Sequence, residues 1–99
     1  MEITMLMTGE NTELVITGRM DTITSSKLLP FLTEAIQSSE TVTLNFAEVK
    51  YVSSAGLRVL LQGQKIAQSA SKSLKLENVS PDVMEIFEVT GFSAILTIV

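Results

Sequence analysis

The chain has 99 residues, 45% of them hydrophobic, and a net charge of −4. This length fits one domain, and the apolar content is enough for a single core without disulfides or a structural metal. Because the chain contains neither cysteine nor histidine, it lacks a thiolate nucleophile, an imidazole base and the usual zinc ligands. We therefore expect no catalytic residue, no bound metal and no cofactor.

The charge pattern restricts the possible partners. The seven basic residues are scattered along the chain, which argues against binding to the phosphates of a nucleic acid. The longest apolar stretches, near residues 59–61 and 94–99, are too short to span a bilayer, and no basic segment precedes a hydrophobic one at the start. We expect a soluble cytoplasmic protein without direct membrane insertion.

The first predicted elements are two strands joined by a turn. Residues 1–7 and 13–17 are rich in strand-forming side chains, and turn-forming residues at 8–12 separate them. We therefore expect a β-hairpin whose second strand ends at Gly18.

A helix is predicted next, with two possible starting points. Asp21 or Thr22 can cap a helix that runs to about Gln37. Pro30 falls inside this helix and removes one backbone hydrogen bond, which costs about 3 kcal/mol in a helix interior. The sequence therefore predicts either a kink or a helix that begins near Lys27.

A strand and an apolar helix follow. Residues 41–46 alternate polar and apolar side chains, as a strand does, and residues 54–70 form a helix with a stripe of small residues. Glycine in a helix costs about 1 kcal/mol relative to alanine, so Gly63 indicates close packing against a neighbouring element. For Gly56, the sequence favours close packing and contact with a binding partner equally.

The remaining elements are a strand over residues 73–77, a helix over 81–90 that Gly91 ends, and a strand over 94–98. The predicted order is β-β-α-β-α-β-α-β. We expect a single α/β domain over residues 1–99, an αβ sandwich in which helices pack on a mixed sheet.

The loop before the second helix carries the candidate chemistry, because Ser53 and Ser54 lie where the helix begins. A serine there accepts a hydrogen bond from a first-turn N–H, and the helix N-terminus also stabilises a phosphate attached to it. A nucleophilic role fails without a histidine base or a Gly-x-Ser-x-Gly elbow, and a nucleotide site lacks its Gly-x-x-x-x-Gly-Lys loop. The residues alone leave a helix cap and a phosphorylation site as alternatives.

Three segments, ITGRMD at 16–21, YVSSAGL at 51–57 and TGF at 90–92, together with the element order, resemble the STAS family. The resemblance is closest to its free-standing anti-sigma factor antagonists. In the family motif an apolar pair precedes Asp-Ser-Ser-Gly-Leu, and the first serine is phosphorylated. The resemblance implies that Ser54 is the acceptor, while Ser53 replaces the family's aspartate and is an alternative acceptor.

The resemblance further implies a bacterial binding module that sequesters an anti-sigma factor and so releases a sigma factor. In the family the anti-sigma factor is itself an ATP-dependent serine kinase that switches its antagonist off, and a serine phosphatase removes the phosphate. The implied partner-binding residues are Asp21, Ser53, Ser54, Ala55, Gly56, Leu57 and Arg58. The alternative is a STAS subunit of a transporter or multiprotein signalling complex, in which the same loop docks but is not phosphorylated.

Overall fold

Four strands form one mixed sheet in the order β1-β2-β3-β4. The computed structural model describes residues 1–99, and its strands are β1 (Glu2–Thr8), β2 (Asn11–Met20), β3 (Thr41–Val52) and β4 (Ser73–Glu77). β1 and β2 form the predicted antiparallel hairpin, whereas β3 is parallel to both β2 and β4. The helices are α1 (Ser25–Ser38), α2 (Ser54–Ser69) and α3 (Pro81–Thr90), and a 3-10 turn (Phe92–Ala94) follows them. The predicted fold class and the order of its first seven elements are confirmed.

One face of the sheet packs against the helices and forms the core. Leu14, Leu44 and Leu76 lie side by side on three neighbouring parallel strands and are fully buried. α2 packs closely against both α1 and the sheet, because a Cβ atom at Gly63 would lie 2.9 Å from Leu32 Cδ1 on α1 and 3.4 Å from Leu74 Cδ2 on β4. The packing role predicted for Gly63 is therefore confirmed.

The start of α1 differs from both predicted positions, since the helix begins at Ser25. Asp21 still caps the turn before it, as its Oδ1 accepts hydrogen bonds from the N–H groups of Ile23 (3.0 Å) and Thr24 (2.8 Å). Ser25 N–H also donates to the Asp21 carbonyl at 3.0 Å. The helix continues through Pro30.

β3 is twice as long as predicted, because two irregularities interrupt its alternation. The predicted strand ended at residue 46, yet pairing with β2 continues to Val52. The register shifts once after Val15 of β2 and again after Gly18. Each shift adds a residue to β3 and breaks the period of two on which the prediction depended.

The strand predicted over residues 94–98 is wrong. Gly91 ends α3 in the left-handed conformation with φ 82°, as predicted, but the chain then enters a 3-10 turn in which Phe92 O accepts the N–H groups of Ile95 and Leu96. Only Ile98 forms a parallel bridge, to Leu76 of β4. The tight turn uses the backbone groups that a strand would have presented to the sheet.

Candidate functional site

The carboxyl ends of β2 and β3 bring the two most informative sequence segments together. Met20 and Val52 are the last paired residues of these parallel strands. The pairing extends one step further, since Ser53 N–H donates to Met20 O at 2.8 Å. Asp21 and Ser53 therefore leave adjacent strands at the same edge of the sheet.

Ser53 is the N-cap of α2. Its backbone is extended (φ −83°, ψ 173°) and its Oγ accepts a 3.2 Å hydrogen bond from Gly56 N–H. Its carbonyl accepts the Leu57 N–H at 2.9 Å. Aspartate and serine both form this cap. Compared with the aspartate of the motif that the sequence resembles, Ser53 therefore preserves the helix start but leaves the loop without that negative charge.

Ser54 is the first residue of α2 and its side chain is exposed, whereas Ser53 is half-buried and already engaged in the cap. The N-terminus of α2 carries the positive end of the helix dipole, and no acidic residue lies in the first turn. A phosphate on Ser54 would therefore be stabilised by the helix from which it projects.

Gly56 and Leu57 are buried and pack beneath the loop. A Cβ atom at Gly56 would lie 2.9 Å from Val52 Cγ1 and 3.2 Å from both Cβ and O of Met20. Close packing therefore requires glycine here. Of the predicted partner-binding residues, the structure does not place these two on the outer surface.

Asp21 supplies the negative charge of the site. Hydrogen bonds from the backbone N–H and the hydroxyl of Thr24 lower the pKa of the Asp21 carboxyl below its usual 3.8, and the charge of Arg19 acts in the same direction. The carboxylate is therefore ionised at neutral pH and lies beside the Ser53 loop.

A sequence model of the family described as "Mlab, STAS domain" matches residues 3–98. The chain belongs to the STAS domain family. The resemblance inferred from the sequence is thus confirmed.

Two curated relatives of this STAS domain carry names from sigma-factor regulation. The chain is 29% identical over 83 residues to the anti-sigma-B factor antagonist of Bacillus subtilis, a match that covers 84% of this chain and 76% of that protein. It is 39% identical over 57 residues to BtrV of Bordetella bronchiseptica, named as a candidate anti-sigma factor antagonist. That second match covers 58% of this chain and about half of BtrV, 49% of its length.

A solved structure confirms the STAS fold. The anti-sigma factor antagonist SpoIIAA in its unphosphorylated form superposes with a TM-score of 0.82 at 20% identity, over 99% of this chain and 88% of that one. The phosphorylated form of Bacillus SpoIIAA gives a TM-score of 0.75 at 19% identity, over 99% and 91% of the two chains. At about 20% sequence identity, this structural similarity establishes the fold alone.

The outer surface of the site in this STAS domain includes a groove of about 290 Å³ between the first turns of α1 and α2. Thr22 and Ser26 line one wall, and Ala55 and Arg58 line the other. Four predicted residues, Asp21, Ser54, Ala55 and Arg58, thus lie around the loop and groove, and Ser53 anchors the loop.

Sequence reasoning missed Ile23, whose side chain is 77% exposed in the turn that Asp21 caps. A single apolar residue in a polar segment has no periodic signal, so only the structure shows that it faces solvent beside the groove. No helix of the chain is both long and apolar enough to cross a membrane. No group of three or more acidic side chains is placed to hold a metal ion.

Proposed function

We propose that this chain is a bacterial cytoplasmic anti-sigma factor antagonist, a binding protein that sequesters an anti-sigma factor and so releases a sigma factor. The family membership and the names of the two curated relatives support the class of function. The observation that carries the proposal is the exposed Ser54 hydroxyl at the first position of α2. It lies beside a cap that Ser53 already satisfies, so it is free for modification.

In the unmodified state the partner packs on the exposed residues around the loop. Ile23 offers an apolar anchor, Asp21 an ionised carboxylate and Arg58 a guanidinium. An apolar residue flanked by opposite charges suits a protein partner of complementary charge. Ser54 and Ala55 contribute small side chains that let the partner approach the helix closely.

Phosphorylation of Ser54 turns this surface off. A phosphate adds about −1.5 to −2 charges at neutral pH, which a closed interface must desolvate beside the Asp21 carboxylate. Each ~1.4 kcal/mol of that penalty weakens binding about tenfold. Arg58 lies four residues after Ser54, on the same side of the helix, and pairs with the phosphate instead of with the partner.

The kinase is the anti-sigma factor itself, and a serine phosphatase restores the unmodified state. ATP and its metal ion belong to these partners. Ser53 is a poorer acceptor than Ser54, because its Oγ accepts the Gly56 N–H and its side chain is half-buried.

The test is incubation of the chain with ATP and its cognate anti-sigma factor kinase, followed by peptide mapping of the phosphate. We expect phosphate on Ser54 in the wild type and in a Ser53→Ala variant, and none in Ser54→Ala. Ser26→Ala is the control, because it removes another exposed hydroxyl next to the same groove. Phosphate confined to Ser53 would contradict the assignment.

Ser53, which stands where the family motif has aspartate, favours a second candidate function. With Ser53 in its place, the loop keeps its cap but loses a charge that the family's kinase substrates present. A STAS subunit of a transporter or multiprotein signalling complex would use the same surface without modification. Stable binding to an ATPase or scaffold, with Ser54 unmodified in the presence of ATP, would favour this candidate.

A further inference from the structure

Arg19 and Tyr51 form a cation–π pair that the predicted site did not include. The Arg19 Cζ atom lies 4.4 Å from the centroid of the Tyr51 ring, well within the ~6 Å over which such pairs attract. The two residues lie directly opposite each other on β2 and β3.

An irregularity of β3 creates this pairing. Gly18 pairs with Val49, but Arg19 pairs with Tyr51, so Lys50 is an extra residue on β3. Without it Arg19 would lie opposite Lys50, and two like charges facing each other across strands are destabilising. Such bulges re-aim side chains and are frequent next to functional sites.

The pair lies at the edge of the proposed surface. The next pair along the strands, Met20 and Val52, is buried in the core, so by alternation Arg19 and Tyr51 lie on the opposite, open face of the sheet. The Asp21 turn lies next to this pair, since Thr24 Oγ1 is within hydrogen-bonding distance of Arg19 O, at 2.7 Å.

The Arg19 guanidinium makes no ion pair within 4 Å, although its charge acts on the nearby Asp21 carboxyl. The single ion pair of the structure within 4 Å joins Lys75 and Glu77, and the Arg19 side chain is exposed. The ring of Tyr51 holds the guanidinium in place. A guanidinium whose orientation is already fixed loses less conformational entropy when it binds a carboxylate through two hydrogen bonds.

We infer that Arg19, held by Tyr51, is a specificity contact that binds a carboxylate of the anti-sigma factor. This inference rests on the proposed function and extends its surface onto the open face of the sheet. Asp21 lies two residues away with the opposite charge, so the matching partner surface carries an acidic group facing Arg19 and a basic group facing Asp21. Such a charge pattern selects one partner over others and speeds association.

The experiment is a calorimetric and kinetic titration of the cognate anti-sigma factor kinase with the wild type and three variants. Arg19→Glu should weaken binding about tenfold or more, with most of the loss in the association rate, and Arg19→Lys should lose less because it keeps the charge. Raising the salt concentration should weaken the wild type more than Arg19→Glu. Lys65→Glu is the matched control, since it makes the same charge change at an exposed position about 16 Å along α2 from Ser54.

Three outcomes separate the explanations. Retention of wild-type affinity by Arg19→Glu, with an unchanged melting curve, would overturn the inference and leave the proposed function intact. An equal loss in Lys65→Glu would also overturn it, because the effect would then reflect net charge alone. A wild type that does not bind the kinase would overturn both the proposed function and this inference.

Discussion

Replacing Gly56 by alanine tests whether the loop depends on close packing beneath it. The added Cβ would meet Val52 Cγ1 at 2.9 Å and both Cβ and O of Met20 at 3.2 Å. Val52 is a buried, β-branched residue with little rotational freedom, and the Met20 carbonyl is held by the Ser53 N–H. None of these atoms can move without disturbing the helix start.

The size of the effect follows from two opposing contributions. Alanine gains about 1 kcal/mol over glycine in a helix, while overpacking a core costs typically about 1 to 3 kcal/mol. Because three neighbours are too close at once, we expect Gly56→Ala to lose about 1–2 kcal/mol of unfolding free energy, which lowers Tm by about 5–15 °C for a domain of this size.

Urea and thermal unfolding of Gly56→Ala, followed by circular dichroism, measure this loss. Gly63→Ala is the matched control, because its added Cβ meets one leucine end at 2.9 Å, Leu32 Cδ1, and its next neighbour only at 3.4 Å. The control should remain within about 1 kcal/mol of the wild type. A Gly56→Ala protein as stable as the wild type would refute the packing argument.

Three further predictions concern stability. Lys72→Ala should lose about 1 kcal/mol of unfolding free energy in urea unfolding. The reason is that Lys72 Nζ donates to the carbonyls of Ile36 (3.2 Å) and Ser39 (2.9 Å) at the end of α1. An unchanged urea midpoint would contradict this. Because the pKa of Asp21 is lowered, its carboxylate stabilises the fold fully above its usual pKa of 3.8, and this stabilisation is lost as the pH falls below that value. In urea unfolding, the stability difference between the wild type and Asp21→Asn should therefore shrink as the pH is lowered below 3.8, and a constant difference would contradict this. Gln64→Met should leave the thermal stability unchanged or raise it, because the buried Gln64 Oε1 has no hydrogen-bond partner. A loss of more than about 1 kcal/mol of unfolding free energy would show that this amide is hydrogen-bonded in solution.

The sequence predicted well those features that depend on local signals. Ser53 at the start of α2 and Gly91 after α3 have short-range signals, and the structure places both as expected. Gly63 was correctly assigned to close packing, since glycine within a helix is unfavourable unless a neighbour approaches.

Features that depend on distant pairing could not be predicted. β3 runs past residue 46 only because two bulges keep it in register with β2, and a bulge destroys the alternation that identifies a strand. The pairing of Arg19 with Tyr51 depends on the second of these bulges. Lys72 reaches the end of α1 from 33 residues away, and nothing in its own sequence segment indicates such a contact.

The apolar run at residues 94–98 shows the opposite error, in which composition favours a strand that the chain cannot complete. Gly91 turns the backbone into a 3-10 helix, and only two backbone hydrogen bonds to Leu76 hold the terminus beside β4. The position of Ser54 at the start of α2 was predicted because the signal for a helix start is local. Ile23 was missed because exposure is a property of the folded chain.

The most direct test of the proposed switch is calorimetric titration of the cognate anti-sigma factor kinase with three forms of the chain. These are the wild type, the wild type phosphorylated on Ser54, and Ser54→Ala as the control that keeps a small uncharged side chain. We predict that the wild type and Ser54→Ala bind with similar affinity and that the phosphorylated form binds at least about tenfold more weakly. Equal affinity of the phosphorylated and unmodified forms would contradict the switch.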